Sequence, residues 1–103
     1  MLANTLPDMK NVTALQFAAA FGHTSLVKAL IESGSNLDVI GSQQTSALHI
    51  AIYKEQDDVV KLLINAEADV NINNGITPLG IAAMKGNYKI VQLLLEKGAI
   101  VDQ

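Results

Sequence analysis

The sequence predicts an all-α chain of three stacked helix-turn-helix units, a short solenoid with turn-like or hairpin-like fingers along one edge. Three observations predict it. Three segments share one pattern: Thr13-Ala14-Leu15-Gln16-Phe17-Ala18-Ala19, Ser46-Ala47-Leu48-His49-Ile50-Ala51-Ile52 and Thr77-Pro78-Leu79-Gly80-Ile81-Ala82-Ala83, starting 33 and then 31 residues apart. Each start is followed, thirteen residues on, by an apolar pair (Leu26-Val27, Val59-Val60, Ile90-Val91) and then by a second apolar run. Half of the 103 residues are hydrophobic and only four are aromatic, so Ala, Leu, Ile and Val carry the apolar mass. Repetition at this period marks supersecondary units that bury their apolar faces only by stacking. The length fits a single domain, residues 1–103, with units at about 8–40, 41–73 and 74–103.

Each element has a local reason. Thr13, Ser46 and Thr77 are hydroxyl residues set just before an Ala/Leu-rich run, where an oxygen can cap the first amides of a helix. Pro78 follows Thr77 at the first helical position, where its missing N–H is harmless. The first helices stop near Gly22, Glu55 and Gly86. Second helices then begin, with Thr24-Ser25, Asp57-Asp58 and Asn87 read as their polar caps, the two aspartates suiting the positive end of the helix dipole. They run through Leu30-Ile31, Leu62-Leu63-Ile64 and Leu93-Leu94-Leu95 and end at Gly34, Glu67 and Gly98. Gly41-Ser42-Gln43 and Asn73-Asn74-Gly75 read as turns between units. Alanines 18, 19, 51, 82 and 83 let the first helices approach closely, and the larger residues of the second helices fill the layer between units.

Composition excludes several functions. The net charge is −3, and all seven cationic residues are Lys. Without the bidentate fork of Arg, a nucleic-acid or acidic-membrane partner is not expected. Absence of Cys removes disulfides, thiolate metal sites and cysteine nucleophiles together. The N-terminal stretch has no basic segment or apolar core of a signal peptide, and no apolar run approaches a membrane span. There is no metalloprotease motif and no Gly-rich phosphate loop. Asp57-Asp58 is explained by helix capping without acid–base chemistry. The expected enzyme activity is none, the expected cofactors and metals are none, and the expected location is intracellular and cytoplasmic, or the host cytosol for a secreted effector.

The units resemble ankyrin repeats, whose signature includes T-P-L-H-x-A at a period of about 33 residues. The resemblance spans about residues 8 to 102 and rests on Thr77-Pro78-Leu79, Ala82-Ala83, Gly86, the run from Ile90 to Leu95, Gly98-Ala99, His49, Gly22-His23 and Ala68-Asp69-Val70-Asn71. It departs from the pattern at Gln16 and Gly80, which stand where His is usual, at Glu55-Gln56 in place of Gly-His, and at Glu67 in place of Gly. The resemblance implies a structural hydrogen bond from His49 to neighbouring backbone. It also implies a protein-binding module whose concave face, made of fingers and first helices, meets another protein.

That face would contain Met9, Lys10 and Val12, then Gln43 and Thr45, then Ile76, along the fingers. Phe21, then Tyr53 and Lys54, then Met84 and Lys85, would come from the first-helix ends. Phe21, Tyr53 and Met84 stand in phase and are expected to line up across the units, with Tyr53 as the principal anchor. The strip reads as three lysines and no carboxylate, which favours a partner with an acidic rim. Phe17, in phase with Ile50 and Ile81, reads as core. An alternative reading is a structural or regulatory segment of a larger effector or enzyme whose activity lies elsewhere. The apolar last unit further suggests additional repeats or self-association through its end face.

Overall fold

The computed structural model describes residues 13–40 and 45–101, and among them the chain forms six helices and no strand. They come in pairs: α1 (Ala14–Phe21) with α2 (Thr24–Glu32), α3 (Ala47–Tyr53) with α4 (Asp57–Asn65), and α5 (Pro78–Met84) with α6 (Tyr88–Glu96). First helices pack on first helices, α1 on α3 and α3 on α5. Second helices pack on second helices, α2 on α4 and α4 on α6. The expected stack of three helix-turn-helix units is the observed architecture. The turn expected at Gly41-Ser42-Gln43 lies outside the described residues.

The hydroxyl starts behave as expected. Thr13, Ser46 and Thr77 have extended backbones, and their side chains accept from the amides of Gln16, His49 and Gly80. In the first two units the favour is returned, because the Gln16 and His49 side chains accept from the N–H of Thr13 and Ser46. The second-helix starts are a partial correction. Asn87 caps α6, but the cap residues of α2 and α4 are His23 and Gln56, neither of which makes a side-chain cap bond. Thr24-Ser25 and Asp57-Asp58 lie one step further in, inside the first turn. A tight bend at Gly22 or Glu55 brings the helix start so close that the cap position falls to the next residue. Asp57 and Asp58 still sit at the positive end of the α4 dipole.

All six helices end in one way. The residue after each bend donates its N–H to the carbonyl five residues back: His23 to Ala18, Ser35 to Leu30, Gln56 to Ala51, Ala68 to Leu63, Asn87 to Ala82 and Ala99 to Leu94, at 2.8–3.2 Å. This closure needs a left-handed residue just before the donor. Gly22, Gly34, Gly86 and Gly98 supply it in the outer units, and Glu55 (φ 58°) and Glu67 (φ 69°) in the middle one. Glu67 thus occupies the glycine position that aligning the three units assigns to it.

Packing follows the division of labour between the helices. Ala18, Ala19, Ala47, Ala51 and Ala82 are buried where the first helices touch. Val27, Val59, Val60, Leu63, Ile64, Ile90 and Leu94 fill the second-helix layer. The buried polar groups Gln16, Ser46 and His49 are all satisfied. Gln16 Nε2 donates to the carbonyls of Val39 (2.8 Å) and Thr45 (3.0 Å), and His49 Nε2 donates to that of Ile76 (2.9 Å). Both side chains reach from a first helix to the segment leading into the next unit. Polar side chains outside the core add further ties, including the half-buried Asn87 Nδ2 to Asp57 Oδ1 at 2.9 Å and the exposed Asp69 N–H to Asp38 Oδ1 at 2.9 Å.

Candidate functional site

Between the second and third units the concave side opens into a groove of about 460 Å³. Its floor is Ile50, Ile76 and Ile81 with the His49 ring, all buried or half-buried. Tyr53 and Met84, at the ends of α3 and α5, line it and remain 55% and 71% exposed, so their side chains are available to a partner. Thr45, Lys54 and Asn74 complete the rim. Of the residues the sequence nominates, the structure brings Thr45, Tyr53, Lys54, Ile76 and Met84 together here. Met9, Lys10, Val12 and Gln43 lie outside the described residues.

The groove exists because two kinds of position alternate along the first helices. The start of α3 points His49 and Ser46 inward. There the ring bridges Ser46 Oγ (2.8 Å from Nδ1) and the Ile76 carbonyl, which fixes the finger that forms the groove's far wall. A carbonyl can only accept, so Nε2 bears the proton, and Nδ1 accepts from the Ser46 hydroxyl. Burial lowers the pKa of His49 from the ordinary 6.5, with the carbonyls of Ile76 and Ile72 opposing part of the shift. The structural role implied for this residue is the one observed. The finger itself turns at Gly75, whose N–H donates to Asn73 Oδ1 at 2.8 Å.

Lys85 stands beside the groove and is not free. Its ammonium lies 4.3 Å from the centre of the Tyr53 ring and 3.9 Å from Glu55 Oε2. The ring therefore has a cation on one face. The expectation of a strip without carboxylates is corrected by Glu55, which the left-handed bend after α3 turns toward Lys85. Among the described residues that line the groove, Lys54 is the cation.

Phe21 does not share this groove. It packs on Phe17 with ring centres 4.9 Å apart and stacks near His23 at 6.0 Å, making a separate aromatic cluster on the first unit. Phe17 is 43% exposed, which corrects its assignment to the core. The position lies at the margin of the first-helix layer, where even Ile50 is only half covered. The larger Phe ring reaches past that cover and rests on Phe21. Ile50 and Ile81 are the groove residues that sequence reasoning assigned to packing alone. Their phase with Phe17 was the available signal that this row borders the concave side.

The convex side offers a different surface. Between α4 and α6 lies a depression of about 430 Å³ lined by Lys61, Asn65, Lys89, Gln92, Leu93 and Glu96, with side chains of both charges. Among the described residues no three His, Asp or Glu side chains cluster as a metal site would need, and no helix is long and apolar enough to cross a membrane.

Comparison with known proteins agrees with the geometry. A model of ankyrin repeats in three copies matches residues 2–74, and a single ankyrin-repeat model matches residues 74–103. An ankyrin repeat and KH domain-containing protein of Caenorhabditis briggsae is 37% identical over 91 residues, 82% of this chain and 4% of that protein. Ankyrin repeat and SOCS box protein 16 of Homo sapiens is 36% identical over 99 residues, 93% of this chain and 21% of its own length. Ankyrin repeat and SOCS box protein 11 of Danio rerio is 38% identical over 86 residues, 82% of this chain and 29% of its own. The chain therefore spans less than a third of each of these relatives.

Proposed function

The chain belongs to the ankyrin-repeat family, whose members generally serve as protein–protein interaction modules, and on that premise we propose that it is a non-catalytic binding module that holds a partner protein on its concave face. The contact surface is the groove between the second and third units, extended by the Phe17–Phe21–His23 cluster. The observation that carries this reading is the pairing of Tyr53 and Met84, exposed and adaptable, over a floor of Ile50, Ile76 and Ile81. Aromatic and Met side chains around an apolar depression are the make-up of an interface hot spot. The mixed-charge convex depression lacks such anchors.

Truncating Tyr53 to Ala should cost about 1–3 kcal/mol of affinity for a cognate protein while helicity is kept. Isothermal titration beside circular dichroism measures both. Binding that survives Tyr53→Ala and Met84→Ala but is lost on changing Lys61 and Gln92 would move the interface to the convex side and overturn the proposal.

A second reading has its own support. The relatives join ankyrin repeats to a KH domain or a SOCS box, and this chain matches only a fraction of each. The module would then be the recognition arm, or a structural or regulatory segment, of a larger protein whose activity lies outside it. Protein partners, not nucleic acid or membrane, remain the expectation for this segment, and an intracellular, cytoplasmic setting suits it.

A further inference from the structure

The finger between the second and third units holds a chemical feature that the binding reading does not use. Asn74 is on the groove rim and is followed by Gly75. Asn74 Oδ1 accepts the Ile76 N–H at 3.3 Å, which folds the side chain back over the peptide that joins it to Gly75. The same bond draws electron density from the amide carbonyl and makes Cγ more electrophilic. At Gly75, φ is 110° and nothing lies within 4 Å of where a Cβ would stand, so no side chain at this residue shields the peptide that joins it to Asn74. The Gly75 N–H donates to Asn73 Oδ1 at 2.8 Å, which holds this amide in the turn until hydroxide removes its proton.

We propose that Asn74 is a site of spontaneous deamidation, set up by the folded finger. The Gly75 backbone nitrogen attacks Asn74 Cγ and forms a five-membered succinimide. The attacking nitrogen loses its proton, the bond between Cγ and Nδ2 breaks, and the amide leaves as ammonia. Water then adds to one of the two ring carbonyls, and the ring opens to aspartate or isoaspartate. Water is the co-reactant, and nothing is oxidised or reduced.

The protein supplies its own controls. Asn36 and Asn73 fold in the same way, each Oδ1 accepting the N–H two residues on, at 2.9 and 2.8 Å. They are followed by Leu37 and Asn74, whose side chains crowd the attacking nitrogen. The three sites share a turn and differ in the residue after it.

Either product alters the groove. Aspartate adds a negative charge to the rim that carries Lys54. Isoaspartate adds a methylene to the backbone two residues before the Ile76 carbonyl, which His49 holds at 2.9 Å, and so loosens the bond between the second unit and the third. The effect on binding rests on the groove being a contact surface, but the modification itself does not.

The test is to incubate the folded protein alone at mildly alkaline pH and physiological temperature, digest it, and map by mass each exchange of amide for acid. Isoaspartate is identified by enzymatic methyl transfer. Asn74 should react at least about tenfold faster than Asn36 or Asn73, a barrier difference of about 1.4 kcal/mol. Asn74→Gln should abolish the reaction and leave the helical signal unchanged. Comparable rates at the three asparagines would overturn the proposal, as would an Asn74 that reacts in urea but stays intact in the folded protein. Because no partner is present, failure here leaves the Tyr53 result standing, and failure of Tyr53→Ala leaves this one.

Discussion

The middle unit and the two that flank it trace the same path with different residues at the bends. Where the flanking units turn on Gly22, Gly34, Gly86 and Gly98, the middle unit turns on Glu55 and Glu67. A side chain in that backbone region costs about 1 kcal/mol per residue. Yet the middle unit is also the best covered. Ile64 is 3% exposed, while Ile31 at the matching place is half-buried and Leu95 is 43% exposed. Having a neighbour on both sides over-determines the bends, so strain is tolerated where packing is densest. Glycine at these turns adds stability to a path that stacking can impose without it.

The sharpest way to break this comparison is to remove equal volumes from unequal surroundings. Leu63→Ala should cost about 2–5 kcal/mol, the range for a fully buried leucine. Leu30→Ala, at the half-buried equivalent position, should cost less than about 2 kcal/mol in the same urea titration. Equal losses would mean that the middle unit has no packing advantage.

A second measurement isolates the polar side of the same contrast. The inward position is Gln16, His49 and Gly80 in successive units, so it titrates in the middle one. The pKa of His49 is lowered in the folded state, so the unfolded protein binds its proton first. The stabilising contribution is therefore complete above pH 6.5 and falls as pH drops below it toward the lowered native value. His49→Gln, which copies the first unit's solution, should flatten the profile below pH 6.5.

Smaller effects of opposite sign are expected at the bends. Glu55→Gly and Glu67→Gly should each stabilise the protein by up to about 1 kcal/mol, less the entropy that glycine adds to the unfolded state. Gly34→Ala and Gly98→Ala should destabilise by a similar amount. Nothing stands within 4 Å of a Cβ at either glycine, so these two changes report the backbone alone. Gly22 is unsuitable for the comparison because a Cβ there would run into the Gln56 side chain. The smallest effect belongs to Lys85→Gln. It removes a long, exposed ion pair and a cation above Tyr53, and should cost well under about 1 kcal/mol.

Much of this was legible in the sequence because repetition averages out local noise. The hydroxyl caps, the contacts of Ala18, Ala19, Ala51 and Ala82 and the left-handed bend at Glu67 all follow from aligning three units, whereas Ala83, expected in the same contact, is exposed. Of the second-helix caps Asn87 follows too, but those of α2 and α4 do not, since the bend puts His23 and Gln56 at the cap position and this depends on geometry that composition does not carry. Half of the candidate site was readable too. Tyr53 and Met84 share a phase, but whether Phe21 joins them depends on its neighbour. Phe17 captures it where Ile50 and Ile81 leave the corresponding residues free. The Lys85–Glu55 contact was hidden, because it needs the Glu55 backbone to turn left-handed.

The buried donors at Gln16 and His49 both point forward along the sequence, each gripping a carbonyl that belongs to the approach of the next unit. The stack is therefore a one-way latch. Peeling the third pair away from the second would strip His49 Nε2 of its acceptor, whereas peeling the first pair away from the second would carry the Gln16 donor off with it. Fraying from the two ends should differ in kind: abrupt at one, gradual at the other. A hydrogen-exchange profile would register that asymmetry as cooperative opening of α5 and α6 against piecemeal opening of α1 and α2. Gly80 has no side chain to continue the series, so the latch is thrown twice among the three units and the third first helix passes nothing on.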